Sequence, residues 1–315
     1  MDYEERGDAM FSWTRALGAL LVLASLAVPL HAQTIDDGLM VPKKTLFTGV
    51  TYGHDSWSDY WEGTLKRENE NVGTLTTNSV TWLGTYGLLP RLNLIATVPY
   101  VSTKASGGTL HPQDGLQDLT LALKGRVFET QLGGTLRGFA VASYGFPVSD
   151  YVADLLPLSI GMHSQRLSTR ATLHYRLDAG WFADATTSYT WRGNVTLDRP
   201  AYFTDGQLFL TDQVKMPDVF DYAVRAGYMG HGLMAPLWFS QQKTLGGGDI
   251  RRQDMPFVSN NMDVSRIGAM ARYTLPKPTN LALQIEASHV LSGRNVGEST
   301  SVTGGLLYTI HFSGR

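Results

Sequence analysis

Twelve strand-length stretches follow one another in this chain, and the connections between them alternate long and short from the first to the last. The stretch from Thr76 to Tyr100 shows the rule. Val80, Trp82, Tyr86 and Leu88 alternate with Thr77, Ser79, Thr81 and Thr85, the period of a strand with one apolar and one polar face. After a tight break at Leu89-Pro90-Arg91 the pattern resumes, with Leu92, Leu94, Ala96, Val98 and Tyr100 opposite Asn93 and Thr97. Leu83 and Ile95 break the alternation once in each strand. A turn this short forces antiparallel pairing, and neither apolar face is satisfied without a second layer or a membrane.

Further strands are expected at 45–57, 118–127, 132–146, 166–175, 181–191, 220–228, 233–239, 266–273, 281–287 and 302–312, with Pro236 as an irregularity in its strand. Short turns fall at 129–131, 177–180, 230–232 and 276–280, and long connections at 58–73, 102–115, 147–163, 193–217, 246–261 and 292–297. A soluble sandwich has no reason to collect every long loop at one end. An all-β transmembrane antiparallel β-barrel does, with short periplasmic turns, long external loops and an even strand number. About twelve strands over residues 45–312 are expected to close on themselves, because lipid cannot satisfy an open sheet edge. A hairpin around Asp205-Gly206, flanked by Tyr202-Phe203 and Leu208-Phe209-Leu210, stands outside the membrane or joins the wall, which leaves ten and fourteen strands as alternatives.

The beginning of the chain carries an address. Ala16 to Leu30 is an apolar core preceded by Arg15 and followed by His31-Ala32, which reads as a signal peptide over residues 1–32, ahead of a short periplasmic lead at 33–44. Asp2, Glu4, Glu5 and Asp8 are wrong for a positive leader, so Met10 is the expected start; a single membrane anchor is the alternative. Removal of four acids and two bases takes the formal charge from -2 to 0, and without a basic patch a nucleic-acid partner is not expected. The absence of cysteine agrees with an envelope protein.

On the polar faces Lys124, Arg126, Arg137, Arg166, Arg170, Asp184, Asp221, Arg225, Arg266, Arg272 and Glu286 are candidates to line a lumen, either tuning passage or acting as interior struts. Tyr100, Tyr144, Tyr175, Trp181, Trp191, Tyr228, Tyr273 and Tyr308 lie near strand ends, as interfacial aromatic girdles do. The inverted alternative, a secreted β-sandwich or barrel with a packed interior, seats the charges outside and the aromatics within. No His-Glu-x-x-His, nucleophile elbow, phosphate loop or cysteine metal spacing occurs, so neither an enzyme nor a metal or other cofactor is expected. His289 with Ser288 and Ser292 invites comparison with a barrel lipase, and Asp55, Asp59 and Asp254 with a barrel protease; an adhesive barrel that binds through its loops is a further alternative.

Gly73-Thr74-Leu75-Thr76-Thr77-Asn78-Ser79, Tyr86-Gly87-Leu88 before Arg91-Leu92, Val98-Pro99-Tyr100-Val101, Ser106-Gly107-Gly108 and Gly115-Leu116-Gln117-Asp118-Leu119 with Leu123-Lys124-Gly125-Arg126 resemble the outer-membrane transporter family associated with the meta-pathway of phenol degradation. That family is itself similar to the long-chain fatty-acid transporter barrels. The resemblance covers residues 73–128; Gln117 stands where the family motif has glycine, and Gly125 where a bulkier residue is usual. It implies a bacterial outer-membrane channel for small aromatic or hydrophobic solutes, surrounded by lipid and lipopolysaccharide and inserted by the barrel-assembly machinery. The lead is too short for the internal hatch of the fatty-acid transporters, whose gating scheme is therefore not expected here.

Overall fold

The structure, a computed structural model, describes residues 34–251 and 255–312. The signal peptide with its Met10 start, and Asp254, lie outside the described residues. Twelve long strands form the wall: β1 (Thr45–Trp57), β2 (Leu75–Leu89), β3 (Leu92–Ala105), β4 (Asp118–Gln131), β5 (Thr135–Pro147), β6 (Arg166–Arg176), β7 (Trp181–Arg192), β8 (Asp218–Gly230), β9 (Leu233–Leu245), β10 (Asp263–Thr274), β11 (Leu281–Arg294) and β12 (Thr300–His311). Each pairs antiparallel with its neighbours in sequence, and β1 also pairs with β12 from Thr45↔His311 to Ser56↔Thr300, so the sheet closes and no wall strand is left as an edge.

The burial pattern decides which face meets what. Leu121, Leu123, Leu167, Leu173, Val224, Leu237, Ile267, Ile285, Val302 and Leu306 all stand exposed on the outside, Leu237 at 67%. The alternate positions Thr85, Asn93, Asp118, Lys124, Thr172, His174, Asp184, Ser188 and Arg272 are buried. A water-soluble sandwich would show the reverse, whereas an apolar outer belt around a polar interior is the pattern of a membrane-spanning barrel. Pro236 is accommodated by a gap: β9 pairs with β10 at Met234↔Arg272 and again at Leu237↔Ala269, with no bridge at Ala235 or Pro236, where the ring has no N–H to give.

Two-residue turns join several strands at one end. His231 and Gly232, both with positive φ (54° and 80°), make the β8–β9 turn in the left-handed geometry that suits the twist of a hairpin. The loop end is more structured. The segment Gln113–Leu116 pairs with the outer half of β3, and Asp59–Glu62 pairs with Leu65–Glu68. The hairpin expected around Asp205-Gly206 forms between Tyr202–Thr204 and Gln207–Phe209, outside the wall, which fixes the count at twelve. Tyr202 stacks between Phe209 and Phe257, with ring centroids at 5.1 and 5.3 Å, within a cluster that also holds Ala153, Val195, Leu197, Val214 and Val258. The long loops therefore share a small core of their own.

Residues 34–42 do not trail away from the barrel. They run inside the wall at the short-turn end, where Leu39 and Val41 pack with Phe47, Phe182, Met229, Met234, Ala282 and Leu307, contributed by six different strands. Ile35 packs against Ile95, Ala122 and Val141. Leu83 and Ile95 thus have a reason to interrupt the polar face: both face this inserted segment.

Candidate functional site: the lumen and its inserted segment

The inserted segment is fixed by charge as well as by apolar contact. Lys124 is fully buried, and its Nζ donates to Asp37 Oδ1 (2.8 Å), to the Asp37 carbonyl (2.6 Å) and to the Thr34 carbonyl (2.9 Å). All three ammonium hydrogens are used, which is what a buried lysine requires. The same ammonium lies 5.4 Å from the Phe139 ring centroid. Asp37 in turn accepts from the backbone N–H groups of Thr34 (2.7 Å) and Leu39 (3.1 Å), so its turn and its ion pair reinforce each other. Gly38 lies so close to His174 that a Cβ there would come within 2.3 Å of the imidazole. His174 is buried and holds Asp184 Oδ1 through Nδ1 at 2.5 Å. Arg170 pairs with Asp36.

On the loop side of this segment the lumen opens into a cavity of about 390 Å³. Arg170, Asp184, Asp221, Arg225, Arg266 and Glu286 line it together with Asp36 and Trp238. Asp221 accepts from Ser188 Oγ (3.1 Å), and Glu286 from the Trp238 indole N–H (3.1 Å). The charged residues lining the cavity come from β6, β7, β8, β10 and β11, whereas the opposite arc of β1, β2 and β3 presents mostly hydroxyls, such as Thr51, Thr77, Ser79, Thr81 and Thr97, with Asp55 of β1 as an inward acid in the field of Arg266.

The remaining candidates lie elsewhere along the axis. Lys124 and Arg272 are behind the inserted segment; Arg272 is buried, donates Nε to Gln284 Oε1 (2.9 Å) and stands 5.8 Å from the Phe47 ring. Arg166 is at the loop end, 2.9 Å from Asp118, which also accepts from Tyr151 (2.6 Å). Burial, then the neighbouring Asp118, push the Tyr151 phenol well above its ordinary value. Arg126 and Arg137 share Glu129 at the short-turn rim. Of the aromatic set, Tyr100, Tyr144 and Trp191 lie outward near the loop end, and Tyr175, Trp181, Tyr228, Tyr273 and Tyr308 near the short-turn end. Several reach backbone or polar partners there: Tyr144 donates to Gln165 and Tyr175 to the Leu132 carbonyl, both at 2.9 Å, and Trp181 meets Tyr228 edge-on at 5.6 Å.

Asp36, Asp37, His174, Asp118 and Trp238 belong to this arrangement and were not among the expected site residues. Only His174, Asp118 and Trp238 carried a sequence signal, as chemistry-bearing side chains on the inward parity of their strands. Ser288 faces inward and bonds to Ser301 (2.7 Å), while His289 faces outward and bonds to Thr300 (2.9 Å), so this hydroxyl and the imidazole lie on opposite sides of the wall. Among the described residues, no group of three His, Cys, Asp or Glu side chains is placed to hold a metal ion.

No protein-family model and no curated protein matches the chain. Solved structures do. The crystal structure of an outer membrane channel from Pseudomonas putida F1 matches with a TM-score of 0.71 at 16% identity, covering 88% of this chain and all of that one. The NanC porin matches with a TM-score of 0.49 at 9% identity (83% of this chain, 98% of that one), and the translocator domain of the autotransporter NalP from Neisseria meningitidis with 0.46 at 10% (95% of each). The fold is that of a twelve-stranded outer-membrane-type barrel.

Proposed function

We propose that the protein is a bacterial outer-membrane channel for small solutes, working by diffusion and without covalent chemistry. The observation that carries the reading is a closed wall, apolar outside, around a lumen that keeps a charged cavity of about 390 Å³ on the loop side of a narrow inserted segment. The fold shared with the Pseudomonas putida channel supports it. In this reading the two sets of outward aromatics are girdles at the membrane interfaces, the loops face outward among lipopolysaccharide, and the short turns face the periplasm. The inward Arg, Asp and Glu side chains tune passage. Residues 1–32 direct export, and the barrel-assembly machinery inserts the wall.

The finer reading, a channel of the kind associated with phenol degradation, rests on the motifs within residues 73–128 and makes small aromatic or hydrophobic molecules the cargo. Single-channel conductance of the refolded mature protein in planar bilayers tests both levels, with phenol, benzoate and a fatty acid as blockers. Discrete steps interrupted by an aromatic solute are the expected result. A correctly folded, heat-modifiable barrel that never conducts overturns the channel reading.

A further inference from the structure

The carboxylates that face the lumenal cavity are each engaged by at least one protein donor: Asp36 by Arg170, Asp184 by His174, Asp221 by Ser188 and Glu286 by Trp238. Two guanidiniums at the same cavity are not. Arg225 and Arg266 have no hydrogen-bonded or ion-paired partner among the described residues. A guanidinium is a planar fork of donors matched to a carboxylate, so two forks without a bonded carboxylate at one cavity offer an anion a bidentate grip that the longer-range pull of the wall's own acids does not occupy.

Their placement adds a shape. Arg225 on β8 is opposite Trp238 on β9, and Arg266 on β10 is opposite Ser240, two residues further along the same face of β9. Along the wall the Trp238 position therefore stands between the strands that carry the two arginines. The Trp238 ring sits over Gly268 of β10, where a Cβ would come within 2.4 Å of it, and borders the cavity. A half-buried indole at the wall of a cavity that holds two cations suits a planar apolar body that bears a negative charge, with the rings in offset or edge contact. Asp55 and Asp221 lie in the field of Arg266, and Glu286 in that of Arg225, so a second negative charge on the ligand would be repelled.

We propose that this cavity is a binding station for a small aromatic monocarboxylate, its carboxylate held between Arg225 and Arg266 and its ring against Trp238. The proposal rests on the channel reading and names its substrate class. A cavity of about 390 Å³ accommodates a single-ring acid.

The test is calorimetric titration of the refolded full chain in detergent with benzoate, set against benzyl alcohol (ring without charge), cyclohexanecarboxylate (charge without aromatic ring) and phthalate (a second charge). Saturable benzoate binding is expected, with each of the other three at least about tenfold weaker. Arg225→Gln and Arg266→Gln should each weaken benzoate by about tenfold or more, and Arg225→Lys, which keeps the charge but not the fork, by less. Absence of saturable benzoate binding, equal binding of benzyl alcohol, or an unchanged affinity in a heat-modifiable Arg225→Gln/Arg266→Gln variant overturns the station. The ligand series uses the unaltered protein, so it decides even if the variants do not fold. Bilayer recordings run in parallel separate the two readings: conductance without benzoate binding removes the station and leaves the channel, and benzoate binding without conductance does the opposite.

Discussion

The two halves of the lumen are built from the same strands by opposite rules. At the short-turn end the inward positions include Phe47, Phe182, Met229, Met234 and Leu307, closed over Leu39 and Val41, and the two cations buried there are engaged, Lys124 by Asp37 and Arg272 by Gln284. Towards the loops the inward positions carry Arg170, Asp221, Arg225, Arg266 and Glu286 around open space. Apolar burial rewards close packing, so the first half is filled. Charges keep their hydration only where water remains, so the second half stays wet. A barrel of one strand number thus holds a seal and a vestibule in series, and the division between them follows which side chains occupy the inward parity of each strand.

The largest effect that bears on this contrast is expected at the seal. Lys124→Ala leaves the Asp37 carboxylate buried without its cation, which costs about 3–5 kcal/mol where such pairs have been broken. The segment at 34–42 should leave the lumen while the wall persists. An aspartate-directed protease should then cut at Asp36 or Asp37 about a hundredfold faster, with heat-modifiability retained. Unchanged protection would mean that the apolar contacts alone hold the segment. Gly38→Ala is the next step down. Its Cβ meets the His174 ring, and a clash of this kind costs about 1–3 kcal/mol, enough to raise the same cleavage rate by a smaller factor. In the vestibule the balance should reverse. Arg170→Gln removes one cavity-lining cation and its pairing with a half-exposed Asp36, so stability should move by less than about 1 kcal/mol. The reversal potential in a salt gradient should nevertheless shift towards cations, and an unchanged potential with a lowered melting temperature would make Arg170 a strut. The smallest effect lies in the loops. Arg294 grips Asp249 through two 2.7 Å bonds and holds its carboxyl below the ordinary carboxylate range. A depressed carboxylate contributes fully above its unfolded value and ceases to contribute as pH falls through its folded one, so this anchor is complete above about pH 4 and weakens progressively below it. Both partners are substantially solvated, and Asp249→Asn should cost no more than about 0.5 kcal/mol. Hydrogen exchange of the 246–251 segment, compared at pH 7 and pH 3, checks it.

The wall was legible because a lipid-facing strand must alternate, and Leu119, Leu121 and Leu123 or Leu281, Leu283 and Ile285 do so without ambiguity. Strand ends were less so. β11 continues to Arg294, beyond the expected 287, because the ladder with β10 persists after the apolar alternation has stopped, through Ser292↔Ser265 and Gly293↔Val264. The connection at 102–115 likewise gave up residues to β3 and to the short strand at Gln113–Leu116. The seal was hidden for a different reason. Asp36-Asp37-Gly38 reads as a polar tail by any local rule, and its partner Lys124 lies 87 residues away. The trace it left was indirect: Leu83 and Ile95 on an otherwise polar face, together with Phe139, Val141 and Phe182 at the same inward parity. Arg126 and Arg137 shared the parity of the true cavity residues, and position along the axis, which alternation does not encode, put them at the rim beside Glu129.

The inserted segment also has a mechanical consequence. It joins β1 through Lys44, whose N–H bonds to the Gly87 carbonyl of β2 at 2.9 Å, and it ends against Lys124 on β4 and Arg170 and His174 on β6. In a ring of twelve strands β6 is nearly diametrically opposed to β1. A sheet closed on itself is a hoop, stiff along its strands and soft to flattening across them. A chord pinned at both sides of a hoop fixes its diameter, so the nine residues at 34–42 hold the cross-section of the whole barrel round.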